Sequence, residues 1–207
     1  MDKPAVFCYD IGERIWEMAG MKKTMYLISA GAVLLTAVCA VLYHLSGVSF
    51  VYSLAITFGT IAYHFLMRLC VGFAFNAAMR NRADYTNKWF QSRAWERKLY
   101  QVLRVKHWKN KLPTFDADVF DPRIHTWDEI AQAMCQSELV HEVIVVLSFV
   151  PPAFAVLFGA FWAFLITSVL AAAFDLLFVM IQRYNRPRII KLIKREQRVM
   201  LMGLETD

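Results

Sequence analysis

Residues 139–181 read LVHEVIVVLSFVPPAFAVLFGAFWAFLITSVLAAAFDLLFVMI, a run in which Pro151-Pro152 and Gly159 are the only helix breakers. A helix needs ~20 apolar residues to cross the hydrocarbon core of a bilayer, so this run is too long for one crossing and suits two. It predicts a third helix ending near Phe149–Leu157 and a fourth from about Phe161 to Ile181. Proline is tolerated inside spanning helices, so the break is read from the whole Pro-to-Gly interval. Toward the N-terminus lie two more runs, Met25–Leu45 and Phe50 to about Phe75, joined by the short turn Leu45–Ser49. His64 and Arg68 alone interrupt the second of them. The expectation is an all-α integral membrane protein with four transmembrane helices. A cytoplasmic basic, amphipathic helical segment should lie between the second and third.

Five stretches follow: an N-terminal interfacial segment (1–24), a first hairpin (25–75), a polar segment (76–137), a second hairpin (138–182) and a basic tail (183–207). In 1–24, Phe7, Ile11, Ile15, Trp16 and Met18 recur at helical spacing among charges, which predicts a short interfacial helix. A cleaved signal peptide is not expected, because the preceding segment is long and partly acidic. The polar segment is basic from Arg80 to Lys111 and acidic from Asp116 to Glu129. With four crossings, Lys22, Lys23, the Arg80–Lys111 block and the Arg183–Arg198 tail all fall on one side, and the short hairpin turns carry no Lys or Arg. The positive-inside rule then makes both termini and the central segment cytoplasmic.

Composition agrees with this class. The chain is 58% hydrophobic and 14% aromatic with a formal charge of +6, too apolar for an ordinary soluble domain and suited to a bilayer interface. Cys8, Cys39, Cys70 and Cys135 form no C-x-x-C pair and no Cys/His metal spacing, so neither a disulfide framework nor a metal site is expected. No phosphate-binding loop, hydrolase elbow or internal repeat is present. Trp89, Trp95, Tyr100 and Trp108 interleave with the basic residues, a pattern that favours anionic lipid headgroups over nucleic acid.

Polar residues at the helix ends are the candidates for chemistry. Asp175 lies seven residues before Gln182, two helical turns or ~10 Å inside the last crossing. An ionisable group at that depth needs an inward-facing partner. It reads either as a structural pair with Arg68, His64 or a helix-end backbone, or as a substrate-facing group. Glu138 and His141 are three apart and share a helix face, so a carboxylate could orient an imidazole as general base. They read equally as acidic and polar residues favoured at a helix start.

Three motifs combine: WKNKLP at 108–113, SELVH at 137–141 and IQRYNRPR at 181–188. In order and spacing they resemble the glycosyl-4,4′-diaponeurosporenoate acyltransferase family, small bacterial membrane proteins of staphyloxanthin-type carotenoid biosynthesis. The likeness covers about residues 87–195. It implies transfer of a fatty acyl group to a sugar hydroxyl of a glycosylated polyisoprenoid. The matching residues are Trp108, Lys109, Lys111, Glu138, His141, Arg183, Tyr184, Asn185 and Arg186. Relatives carry an asparagine at the position of Asp175, which implies a hydrogen-bonding role there.

On that resemblance His141 takes the hydroxyl proton while Glu138 orients it. Arg183 and Asn185 donate to the oxyanion or the acceptor. Lys109, Lys111, Arg186 and Arg188 bind phosphates of an acyl-CoA or acyl-carrier-protein donor, and no other cofactor is expected. Tyr184 and Asn185 interleave with the arginines, and Pro187 is expected to limit the helix, because the residue before proline avoids the helical region. The expected partners are membrane lipid, a lipid-like acceptor and the acyl donor, in a bacterial cell membrane. Two other readings stay open: a membrane scaffold docking lipid or an acidic partner through its basic segment, and a small membrane methyltransferase.

Overall fold

The computed structural model describes residues 11–112, 115–116 and 118–204. Among them the chain is helical with no strand. Four helices are long and apolar enough to cross a membrane, within Lys22–Ser46, Ser49–Met79, Trp127–Phe158 and Phe161–Met202. Their outward surfaces carry exposed Leu27, Leu34, Phe50, Phe73, Trp162 and Leu170. So much exposed apolar side chain is tolerable where lipid, not water, is the solvent.

Helices α1 (Ile11–Ser46) and α2 (Ser49–Met79) form the first hairpin. Gly47 closes it at φ +67, and its N–H donates to the Tyr43 carbonyl at 2.8 Å, a left-handed helix end that favours glycine. The interfacial helix expected over 1–24 lies partly outside the described residues. From Ile11 onward the backbone is one helix with the first span. At the end of α2, Arg80 and Asn81 take positive φ. Gln136 secures this exit: its Oε1 accepts from the Asn81 N–H at 2.7 Å and its Nε2 donates to Asn81 Oδ1 at 3.0 Å.

The polar connection holds a 3-10 turn (Lys88–Phe90), α3 (Ala94–Val102), α4 (Val105–Trp108) and two further 3-10 turns at Lys109–Lys111 and Asp118–Phe120. Helix α5 (Trp127–Leu147) starts well before the apolar run. Thr126 caps it, with the Glu129 side chain reciprocating in a capping box, and Asp128 and Glu129 sit at the positive end of its dipole. A 3-10 turn at Pro151–Phe154, the short α6 (Ala155–Phe158) and Gly159 at φ +70 then reverse the chain. The expected start of the fourth span at Phe161 agrees with α7 (Phe161–Leu204).

Pro187 does not stop α7, contrary to expectation; it lies inside that helix. The reason is tertiary. Arg186, the residue that proline restricts, is anchored by Glu138 and by the Phe90 carbonyl, and that anchoring outweighs a local preference.

Helix α1 packs on α2, α5 packs on α7, and α2 meets α5, so α5 joins the two hairpins. The α2–α5 contact is a core of Met67, Val71 and Ile144 flanked by Tyr63, Val140 and Leu147. A second core, Ala83, Phe90 and Cys135 with Met79, Tyr85 and Leu139, seats the polar connection on the start of α5. Cys39, Cys70 and Cys135 are free thiols.

Candidate functional site

Two polar layers cross the α5–α7 interface. The deeper one centres on Asp175, which is 1% exposed. Its Oδ1 lies 2.9 Å from His141 Nδ1, and its Oδ2 accepts from Arg68 of α2. Arg68 also donates to the His64 carbonyl at 2.9 Å and the Ala171 carbonyl at 3.4 Å. The structural pairing of Asp175 with Arg68 is therefore present, and it coexists with a contact to the imidazole.

An ionised carboxylate only accepts, so Nδ1 carries the hydrogen, and in the neutral ring Nε2 then keeps its lone pair. The ring is stacked on Phe178, with centroids 4.7 Å apart and planes at 11°. The His141 side chain is 22% exposed, and among the described residues no group bonds its Nε2. An imidazole oriented at one nitrogen and open at the other is what a general base requires.

Glu138 is not that orienting group, which corrects the expected Glu138–His141 pair. The carboxylate is fully buried; Oε1 accepts from Arg183 at 2.5 Å and Oε2 from Arg186. The pair fails because the guanidiniums from α7 reach the carboxylate, and two charge-assisted bonds outcompete a single bond to an imidazole.

Arg183 and Arg186 are likewise not free to meet an oxyanion or a phosphate. Arg183 bonds Glu96 at 2.8 Å and the carbonyls of Trp89 and Gln91 at 3.2 and 3.3 Å. Arg186, 1% exposed, donates to the Phe90 carbonyl at 2.8 Å and lies over the Phe90 ring. A buried arginine (Arg186), a half-buried one (Arg183) and two buried glutamates thus fasten the 3-10 turn and α3 to the end of the last span. Arg186 is held at both terminal nitrogens while its Nε has no partner among the described residues, and a buried cation so paired with a carboxylate acts as a structural tie. Tyr100 adds a hydrogen bond to Glu96 at 3.2 Å. Burial and the Glu96 charge hold its hydroxyl well above the usual phenol range.

Further along α7 the predicted residues do converge. Lys109 Nζ donates to Asn185 Oδ1 at 2.6 Å and lies 5.3 Å from the Tyr184 ring centre. Arg188 lies 4.5 Å from the same centre and donates to the Tyr184 hydroxyl at 2.7 Å. Burial, then the Arg188 charge, push the Lys109 ammonium below the usual lysine range. Trp108 plays a local part: its indole donates to the Leu103 carbonyl at 2.9 Å, bracing the corner between α3 and α4. Lys111 is exposed at the end of its turn.

The matching range is now decisive. Residues 86–195 match the family described as glycosyl-4,4′-diaponeurosporenoate acyltransferase. The chain belongs to that family. Comparison with curated proteins found no match, and comparison with solved structures found none either. The glycosyl-4,4′-diaponeurosporenoate acyltransferase range contains His141, Asp175, both buried glutamates and the Lys109–Arg188 group, while Arg68 and His64 lie outside it.

Sequence reasoning missed Glu96 and Phe178. Glu96 is one of two carboxylates in the Arg80–Lys111 block, which marked it for pairing. Phe178 is three residues after Asp175 and so shares its face. A surface hollow lined by Trp127, Leu192, Arg195, Glu196, Val199 and Met200 lies away from these layers.

Proposed function

We propose that this protein moves an acyl group from an anionic thioester donor to a hydroxyl of a glycosylated lipid or carotenoid, with His141 as general base. The observation that carries the reading is the His141–Asp175 couple. One nitrogen is held by a buried carboxylate and the other is unengaged, at the wall of a lipid-exposed helix pair. His141 Nε2 takes the acceptor proton as the hydroxyl oxygen attacks the thioester carbonyl. The tetrahedral adduct collapses, the C–O bond is kept, the C–S bond breaks, and the imidazolium returns the proton to the leaving thiolate. Asp175 stabilises the transient imidazolium, and Arg68 holds Asp175 in place.

In this reading the protein lies in a bacterial cell membrane with both termini cytoplasmic, because its lysines and arginines gather on one side of four crossings. Acyl-CoA or an acyl-carrier protein then reaches the Lys109–Arg188 end from the cytosol. The acceptor's apolar chain enters from the bilayer.

The test is His141→Ala assayed in proteoliposomes with an acyl thioester and a glycosylated carotenoid. A loss of about 10²- to 10⁴-fold is expected with membrane insertion and thermal stability retained. Undiminished turnover would remove the base. A scaffold reading predicts that this variant behaves normally while combined Lys/Arg replacements abolish function. A methyltransferase would be protected against unfolding by S-adenosylmethionine and not by an acyl thioester.

A further inference from the structure

Lys109 and Arg188 bring two positive charges to a single ring, that of Tyr184. Among the described residues neither forms an ion pair with a carboxylate. Every other predicted cation of the site behaves differently: Arg183 and Arg186 are ion-paired with glutamates, and Lys111 faces outward. Like charges brought together without an anion repel, and this crowding adds to the larger effect of burial in lowering the affinity of Lys109 for its proton. A bound dianion would relieve it, with donors from an ammonium and a guanidinium.

The position of this pair relative to the imidazole carries the rest. Asn185, which holds Lys109, is seven residues after Phe178, on which His141 stacks. Seven residues return to the same helix face at a rise of ~10 Å, and Arg188 lies ~15 Å along from Phe178. About thirteen bonds separate the thioester sulfur from the phosphorus of a phosphopantetheine arm. At roughly 3.3–3.6 Å for each three extended backbone bonds, such an arm spans at most about 15 Å. Arm length and site spacing agree.

We propose that Lys109 and Arg188 bind the phosphate of a phosphopantetheine arm, which runs along α7 and delivers its thioester to His141. The proposal rests on the acyl-transfer reading and deepens it by assigning what the site recognises. Acyl-CoA and acyl-carrier protein share this arm. Asn185 and Tyr184 position the two cations.

The test compares binding of 4′-phosphopantetheine and pantetheine to the full-length protein in nanodiscs. The phosphate should strengthen binding by about tenfold or more, the usual scale of a doubly charge-assisted contact. Lys109→Gln and Arg188→Gln should each reduce that ratio, and the double variant should bring it near one. Lys191→Gln, an exposed change on the same helix, should leave the ratio intact. A ratio of one in the unchanged protein, a ratio surviving in the double variant, or an equal loss with Lys191→Gln would each overturn the proposal. With acyl donors, the double variant should raise KM for acyl-CoA and acyl-carrier protein alike. A rise for acyl-CoA alone would move recognition to the nucleotide and refute the arm. Because binding needs no turnover, His141→Ala should keep the phosphate ratio even if the catalytic reading fails.

Discussion

His141 Nδ1 and Asp175 Oδ1 stand 2.9 Å apart across α5 and α7, and the other Asp175 oxygen is held by Arg68 of α2. One buried carboxylate thereby links three spans, and it leaves the imidazole Nε2 unengaged. The charge on Asp175 neutralises Arg68, and its geometry fixes the tautomer of His141.

That double duty separates in a mutant cycle. Asp175→Asn keeps an oxygen for His141 but leaves Arg68 without its anion, and should cost about 3 kcal/mol of stability. Arg68→Gln alone should also destabilise. The double variant should recover most of the loss, because no unpaired buried charge remains. Thermal unfolding of the four proteins in one detergent gives the coupling. Simple additivity would mean that the pair is energetically silent.

Glu138→Gln leaves Arg186 buried without full compensation, and about 3–5 kcal/mol should be lost. Arg183 would also lose a partner, so the 88–102 connection should loosen. Limited trypsin digestion should accelerate at Arg93, Arg97 and Lys98, with no such acceleration in His141→Ala. An unchanged melting temperature with abolished turnover would return Glu138 to the chemistry.

Pro187 lies within α7 without ending it. A proline in a helix interior lacks the N–H that donates to the carbonyl four residues back, here Arg183, at a cost of roughly 3 kcal/mol or more relative to alanine. Pro187→Ala should keep the helix and raise stability by about 1–3 kcal/mol, part of the intrinsic cost having been relaxed by local adjustment. A fall in melting temperature would show that the proline geometry is needed to aim Arg186.

The Lys109 site should be pH-dependent with a defined sign. Its folded value is lowered, by burial first and by Arg188 second. The protonated, anion-binding form therefore exists below that lowered value and is lost as pH rises through it. Phosphopantetheine affinity should weaken in a range more acidic than an ordinary lysine would give. A bound anion raises the Lys109 value, so binding near that range should take up a proton. The groups facing Lys109 are Arg188, Tyr184 and Asn185. Calorimetry in buffers of differing ionisation heat measures the uptake, and Lys109→Gln should abolish it.

Much of the candidate site was legible in residue type and little of it in pairing. Asp175 was marked by being ionisable within an apolar run, and Arg68 appeared among its possible partners. His141 was marked by its place on α5 beside Glu138. Their partners were misread because i,i+3 spacing says which side chains can touch on one helix. It does not say whether a guanidinium from another helix arrives first. The same limit hid Glu96, which lies 87 residues from Arg183 in sequence.

The sequence by itself determined the four apolar spans, the hairpin reversals at Gly47 and around Gly159, and the start of α7, because hydrocarbon thickness and backbone satisfaction leave a chain this apolar few alternatives. Only the tertiary structure decided that α7 continues through Pro187, that Glu138 ties the polar connection to the bundle, and that Asp175 holds His141. Those outcomes depend on which charges meet across helices, and buried charges choose the partners that best replace lost hydration, whatever their separation along the chain.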